Sequence, residues 1–383
     1  MALLTKDRKI TEKGVRALFV QAYVTMRRAL VYPRICQVVD SHVEKDWART
    51  IGMVPQLEEV ISDVNGPGAA DFPDFYWEWY NRLYQSRIFI SRDVMAFDQT
   101  GQVRTLLHSM AARLANFPDL LFFTRLANDS FYSGEWSGTS AAAAIPVEGG
   151  TGYQIPLFST MHLTSVSGTG QSNLLTGSTP TDFCTYASVT SVAEQIKTDF
   201  RRAIAQLRTF RDNQGQPWHY DDIKPEDLVV ICGPLLQTPM EQAFFSGTMN
   251  ATDNVLKGKV REILSSNYLP ATGVGAADWW LLHVGRPQRP FMYSRFREIR
   301  DEEIEDFFGK ELIRAEGVDG KGVTLEDLKE FSSVQIETNL NKQGFNADPD
   351  VAFNNRFFVQ CRWRGEMMGG VWQNAIKMDN SAT

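Results

Sequence analysis

The segment Pro156–Asn173, "PLFSTMHLTSVSGTGQSN", gathers residue types that can do chemistry: a histidine, several Ser and Thr hydroxyls and a Gly-x-Gly step. His162 beside Ser159 or Ser165 would be a nucleophile–base pair, which needs a third group to orient the imidazole. No Gly-x-Ser-x-Gly elbow surrounds either serine, and the sequence alone does not select an acid partner. "GTGQSN" lacks the third glycine of a dinucleotide loop, and it neither follows a clear strand nor opens a helix. Neither Gly258-Lys259 nor Gly320-Lys321 has a glycine five residues before its own, so there is no Walker loop. "AEGVDGKGVTLEDL" resembles a calcium loop, but Ala315 and Gly317 occupy places that need oxygen side chains; it reads as a turn before a helix.

The remaining chemical residues are dispersed. The five histidines define no metal site. Cys36, Cys184, Cys232 and Cys361 form no Cys-x-x-Cys pair and read as buried thiols in a reducing compartment. The run "GRPQRPFMYSRFREIRDEE" carries Arg286, Arg289, Arg295, Arg297 and Arg300 and then swings to acid. A nucleic-acid patch is one reading; arginines on a strand meeting carboxylates on a neighbouring strand is the other, and the acidic surroundings favour it. No catalytic constellation or cofactor is expected, and the chain reads as a non-enzyme.

The elements that would position these residues are ordinary in composition. The 383 residues carry 43% hydrophobic and 22% charged side chains and a formal net charge of -7, which points away from disorder and from a dedicated nucleic-acid binder. No apolar run approaches the ~20 residues of a membrane span, and the N-terminus lacks a signal-peptide core, so a soluble cytosolic product is expected. Apolar spacing predicts a helix over 11–30 ended by Pro33, a second over 101–128 broken or kinked at Pro118, and a third over 188–210 with Ser191 and Glu194 as a capping box. "RICQVVDSHVEKDW" reads as extended, and "ISDVNGPGAADFPDF" as a loop.

In "DFYWEWYNRLYQSRIFISRDV", Phe75, Trp77 and Trp79 alternate with Tyr76 and Tyr80, then Ile88 and Ile90 with Phe89 and Ser91. This predicts a two-stranded arm joined near 81–86, too marginal to stand alone. Residues 130–181, rich in Gly, Ser, Thr and Ala, read as a long loop that is either functional or held by neighbours. "DLVVICGP" and "DWWLLHV" read as buried strands. In "NRFFVQCRWRG", Phe357, Val359, Cys361 and Trp363 face one way, and Arg356, Gln360, Arg362 and Arg364 the other. The fold class is α+β. Arms this long become stable by pairing with other subunits, which points to an assembly protein.

At this point the chain resembles the Mu-like major head subunit (gpT) family of tailed-phage major capsid proteins. The resemblance runs through "VVDSHVEKDWARTIGMVPQLEEV", the hairpin, Ile-Ser-Arg strand and helix of "YWEWYNRLYQSRIFISRDVMAFDQTGQVRTLLHSMAARLANFPDLLFFTRLAND", "PLFSTMHLTSVSGTGQSNLL", "LVVICGPLLQTPMEQAFFSG" and "WWLLHVGRPQRPFMYSRFRE". It rests on order and spacing, not on one diagnostic motif. It implies a Hong Kong 97-like capsid fold: an N-terminal arm over 1–50, an E-loop hairpin and return strand over 51–98, a P domain with spine helix and long loop over 99–184, an A domain over 185–335, and strands of 336–383 returning to the P domain. Pro118 puts the straightness of the spine helix in question.

The resemblance further implies pentamers and hexamers closing into an icosahedral shell around double-stranded DNA, with localisation in the virion. The implied partners are copies of itself, a scaffolding protein, a portal and, optionally, a decoration protein. Trp77, Trp79, Tyr80 and Arg82, with Arg295 and Arg297, are the expected inter-subunit contacts; packing of the aromatics within one subunit is the alternative. No lysine lies between Lys45 and Lys197, so an E-loop lysine crosslink is not expected. A chain that starts at Met1 suggests a separate scaffolding protein. The rival readings are a cytosolic Ser/His hydrolase using His162, and a DNA-binding or decoration protein using the arginine run.

Overall fold

The computed structural model describes residues 22–23, 25–26, 29–51, 74–91, 101–137, 145–146, 153–162, 170–178, 189–212, 215–219, 223–249, 252–297, 334–338 and 356–380. Most of the expected first helix lies outside them, as do the 61–73 loop, Ser165, Cys184 and the calcium-like segment. The class is α+β, built on two five-stranded sheets.

The first sheet joins Cys36–Ser41, Phe291–Phe296, Arg356–Gly369, Val334–Thr338 and Arg82–Ser91. Cys36–Ser41 runs parallel to Phe291–Phe296; the other pairs are antiparallel. The long strand Arg356–Gly369 organises the sheet. It pairs with Arg82–Ser91 along one edge, and with Val334–Thr338 and then Phe291–Phe296 along the other. The predicted alternation holds where side chains are described: Val359, Cys361 and Trp363 are buried. Gln360 departs from it. It is also buried, because Arg87 Nε donates to its Oε1 at 2.8 Å and its own amide donates to Gln85.

Helix Phe117–Ala127 packs on the Trp363 face, and helix Gln102–Ala115 leads into it. They are two helices, not one, separated at Asn116, and Pro118 sits in the first turn of the second, where its missing N–H costs nothing. Phe117, Tyr84 and Trp363 pack with centroids 4.7–5.6 Å apart. Pro33 likewise opens a short helix, Tyr32–Ile35, as well as following the expected first helix. That turn is held from outside: the buried Asp119 carboxylate accepts from the Val31 and Tyr32 N–H groups at 2.8 and 2.9 Å.

The second sheet has the order Glu262–Ser265, Leu228–Cys232, Trp279–His283, Ala375–Asp379, Leu174–Thr176. Leu228–Cys232 and Trp279–His283 are buried at every position, as expected for strands covered on both faces. Helix Val189–Thr209 buries Val192, Ile196, Phe200, Ala203 and Leu207. Phe200 meets Phe244 of helix Gln237–Phe245 at 4.8 Å. Ser191, expected as the cap, lies inside the helix, and Glu194 pairs with Lys197 at 3.3 Å.

The two sheets share the C-terminal segment. Arg356–Gly369 belongs to the first, and Ala375–Asp379 crosses into the second. Conversely, Phe291–Phe296 leaves the sequence range of the second sheet to join the first.

The 130–181 region is not a bare loop. Tyr132–Ser137, Tyr153–Pro156 and Ile145–Pro146 form a small sheet, and a bridge closes between His162 and Gln171.

Candidate functional site: the hairpin arm and its supports

Lys45–Ile51 and Asp74–Tyr80 form an antiparallel hairpin. This corrects the expected pairing: Asp74–Tyr80 does not fold back on Arg82–Ser91, which enters the first sheet instead. Alternation still assigns the faces. Trp77 and Trp79 point inward and are 3% and 4% exposed. Trp47 and Tyr80 lie on the opposite face, 60% and 45% exposed, with Lys45 paired to Glu78 and its ammonium 5.4 Å from the Tyr80 ring. The inner face rests on the small sheet at Gly134. Its φ of 74° is left-handed, and a Cβ there would run into the Trp77 indole.

The six residues expected at subunit contacts therefore separate. Trp77 and Trp79 are buried within the chain itself, Trp77 against Gly134. Arg295 and Arg297 are also buried and hold Asp40 at 2.6 and 3.2 Å, as arginines meeting a carboxylate on a neighbouring strand. Burial raises the Asp40 carboxyl, but the two guanidiniums outweigh it and hold it below its ordinary value. Tyr80 and Arg82 are exposed. Arg82 leans on Glu366 at 3.3 Å, which also binds Arg125 of the second helix at 2.6 Å. Elsewhere in the arginine run, Arg286 lies 5.8 Å from the Trp218 ring, and Arg289 donates to the Pro33 and Cys36 carbonyls.

His162 has structural work. It is fully buried, its Nε2 lies 3.1 Å from Asn173 Oδ1, and its ring stacks on Trp372 at 4.0 Å and 3°. Asn173 Oδ1 also accepts from the Ser159 N–H, and its amide donates to the Leu157 and Trp372 carbonyls. The Ser159 hydroxyl accepts from the Met161 N–H instead of facing the imidazole. The arrangement ties the loop ends at 157–162 and 171–173 to the crossover between the two sheets.

Among the described residues no group of three or more His, Cys, Asp or Glu side chains is arranged to hold a metal ion, and no helix is long and apolar enough to cross a membrane. Cys36, Cys232 and Cys361 are buried free thiols; burial raises all three, Cys232 and Cys361 to about 12, which keeps them protonated and unreactive.

The sequence reading did not single out Asn81, Asp119, Gly134 or Asp40. Asn81 alone carried a local signal, a turn-prone residue between two aromatic runs; the partners of the others are distant in sequence.

Residues 9–135 match the family model described as Mu-like prophage major head subunit gpT. No curated protein matches the chain. Among solved structures, the chain is similar to the capsid protein of cyanophage P-SCSP1u, at 12% identity and TM-score 0.49, covering 92% of this chain and 88% of that one. It is similar to the bacteriophage JBD30 capsid at 16% identity and TM-score 0.45, covering 63% and 91%. A third is the bacteriophage PhiM1 mature capsid, at 7% identity and TM-score 0.47, covering 92% and 87%.

Proposed function

We propose that this chain, whose residues 9–135 match the model of the Mu-like prophage major head subunit gpT family, closes as pentamers and hexamers of itself around packaged double-stranded DNA. It is a phage major capsid protein that assembles with itself, and its place is the virion. The observation that carries the reading is the family match, which spans the hairpin arm, the strand that follows it and the helix pair.

The finer anatomy is Hong Kong 97-like. The hairpin and its return strand act as the E-loop, the helix pair as a spine bent at Asn116, and the sheet around Leu228–Cys232 as the A domain. A shell of this kind closes by point-group symmetry, and each subunit makes several modest contacts that act together. The outer hairpin face supplies one of them through Tyr80 and Arg82, with exposed Trp47 beside them, since exposed aromatics and arginine are the residues that anchor interfaces. A scaffolding protein and a portal direct assembly, and a decoration protein is an optional addition. The chain's role is structural, not catalytic. The shell is held without covalent crosslinks from the outer part of the hairpin to neighbouring asparagines, because the hairpin's lysine, Lys45, stands at its base paired to Glu78 and no lysine follows it before Lys197.

Co-expression with a candidate scaffolding protein, followed by sedimentation and negative-stain microscopy, tests the reading. Closed particles are expected; a small oligomer under every condition contradicts it.

A further inference from the structure

The hairpin arm has two stems, and both pass one side chain. On the first, Cys36–Ser41 leaves the first sheet and, after 42–44, becomes Lys45–Ile51. On the second, Asp74–Tyr80 ends and Arg82–Ser91 re-enters the sheet with Asn81 alone between them. Asn81 is 3% exposed. Its Nδ2 donates to the Ser41 hydroxyl at 2.8 Å and the Val43 carbonyl at 2.7 Å. Its Oδ1 accepts from the Ser294 hydroxyl at 2.7 Å, and its backbone N–H donates to the Glu44 carbonyl at 2.8 Å. Ser41, Val43 and Glu44 belong to the first stem, Asn81 is the second, and Ser294 lies inside strand Phe291–Phe296.

We infer that Asn81 is a positioning residue: it pins the two stems to each other and to the sheet, and so fixes the angle at which the hairpin leaves the subunit. The chemistry selects asparagine. One side chain must present two N–H donors to a hydroxyl and a carbonyl while its oxygen accepts from a third strand. Aspartate would bring a charged acceptor against the Val43 carbonyl, and alanine would leave buried polar groups unmatched. The pin rests on the geometry of the free subunit. Its consequence, that the hairpin's reach toward a neighbouring copy is preset before assembly, rests on the shell reading above.

The test is amide hydrogen exchange on the unassembled full chain, comparing Asn81→Ala, Asn81→Asp and Ser294→Ala with the unaltered protein. Asn254→Ala is the control. Asn254 is also buried, donating to the Ala243 and Ser246 carbonyls at 2.8 and 3.0 Å, but it serves a turn far from the hairpin. Loss of the pin should speed exchange in 45–51 and 74–80 by about tenfold or more, with Leu228–Cys232 and Trp279–His283 held to within about twofold. Ser294→Ala, which removes one bond, should give a smaller rise in the same segments, and it carries the test alone if the Asn81 variants fail to fold. Hairpin exchange that does not change, or that rises together with every other strand as in a general loss of stability, overturns the pin. Microscopy of particles from the unaltered chain judges the shell reading independently, so either can fail without the other.

Discussion

His162 shows how a residue that looks chemical can be structural. Its Nε2 meets Asn173, and its ring lies flat on Trp372. His162→Ala should lower unfolding free energy in urea by about 1–3 kcal/mol through the stranded polar group and the lost ring packing, with no turnover gained or lost. Gly134→Ala should cost at least as much, since it adds a Cβ at a left-handed φ into the space of a buried indole; a melting temperature equal to that of the unaltered chain would contradict it. His162 was visible in the sequence as a residue for which no acid partner could be selected. Its real partners were not, because Trp372 stands in a different sheet crossover, and stacking leaves no periodic trace. Gly134 was one glycine among many until Trp77 was placed over it.

Among elements, the pairing of Cys36–Ser41 with Phe291–Phe296 rests in part on Asp40. The Asp40 carboxyl is held below its ordinary value by Arg295 and Arg297, so its contribution is present above pH ~3.8 and is lost as pH falls through the lowered value. With 35% of its side chain open to water, screening limits that contribution to about 1 kcal/mol. Asp40→Asn should therefore be less stable than the unaltered chain at pH 6, and the gap should close toward pH 3; a gap that is constant with pH would show that the pair contributes no charge-dependent stability. The spacing of Val189–Thr209, the break near Pro118 and the inward face of Trp363 were legible from local periodicity, and Leu228–Cys232 from its unbroken apolar run. Strand partners were not. Arg82–Ser91 pairs with Arg356–Gly369 from the far end of the chain, and alternation sets the face of a strand but not its neighbour. Trp77 and Trp79, expected at contacts between copies, lie on a face that is buried within the chain itself.

At the scale of the whole molecule, the hairpin has an inner face that packs within the subunit and an outer face proposed to join it to others. Trp47→Ala and Tyr80→Ala should leave subunit stability within about 0.5 kcal/mol, yet lower the yield of closed particles, measured as the sedimenting fraction. Loss of subunit stability in step with yield would return those residues to the core. On a denaturing gel, intact particles should run as single chains; a ladder of covalent multimers would contradict the non-covalent shell. The assembly class was legible because long aromatic arms and the absence of a catalytic set pointed the same way, and the family resemblance gave that class a specific form. Which surface meets which neighbour was not, since an interface between copies has no second sequence to read. The most direct measurement is light scattering with negative-stain microscopy of the full chain expressed alone and with the proposed scaffolding partner. The account predicts closed, megadalton icosahedral particles when scaffold is present. Monomers or small oligomers under both conditions would contradict it.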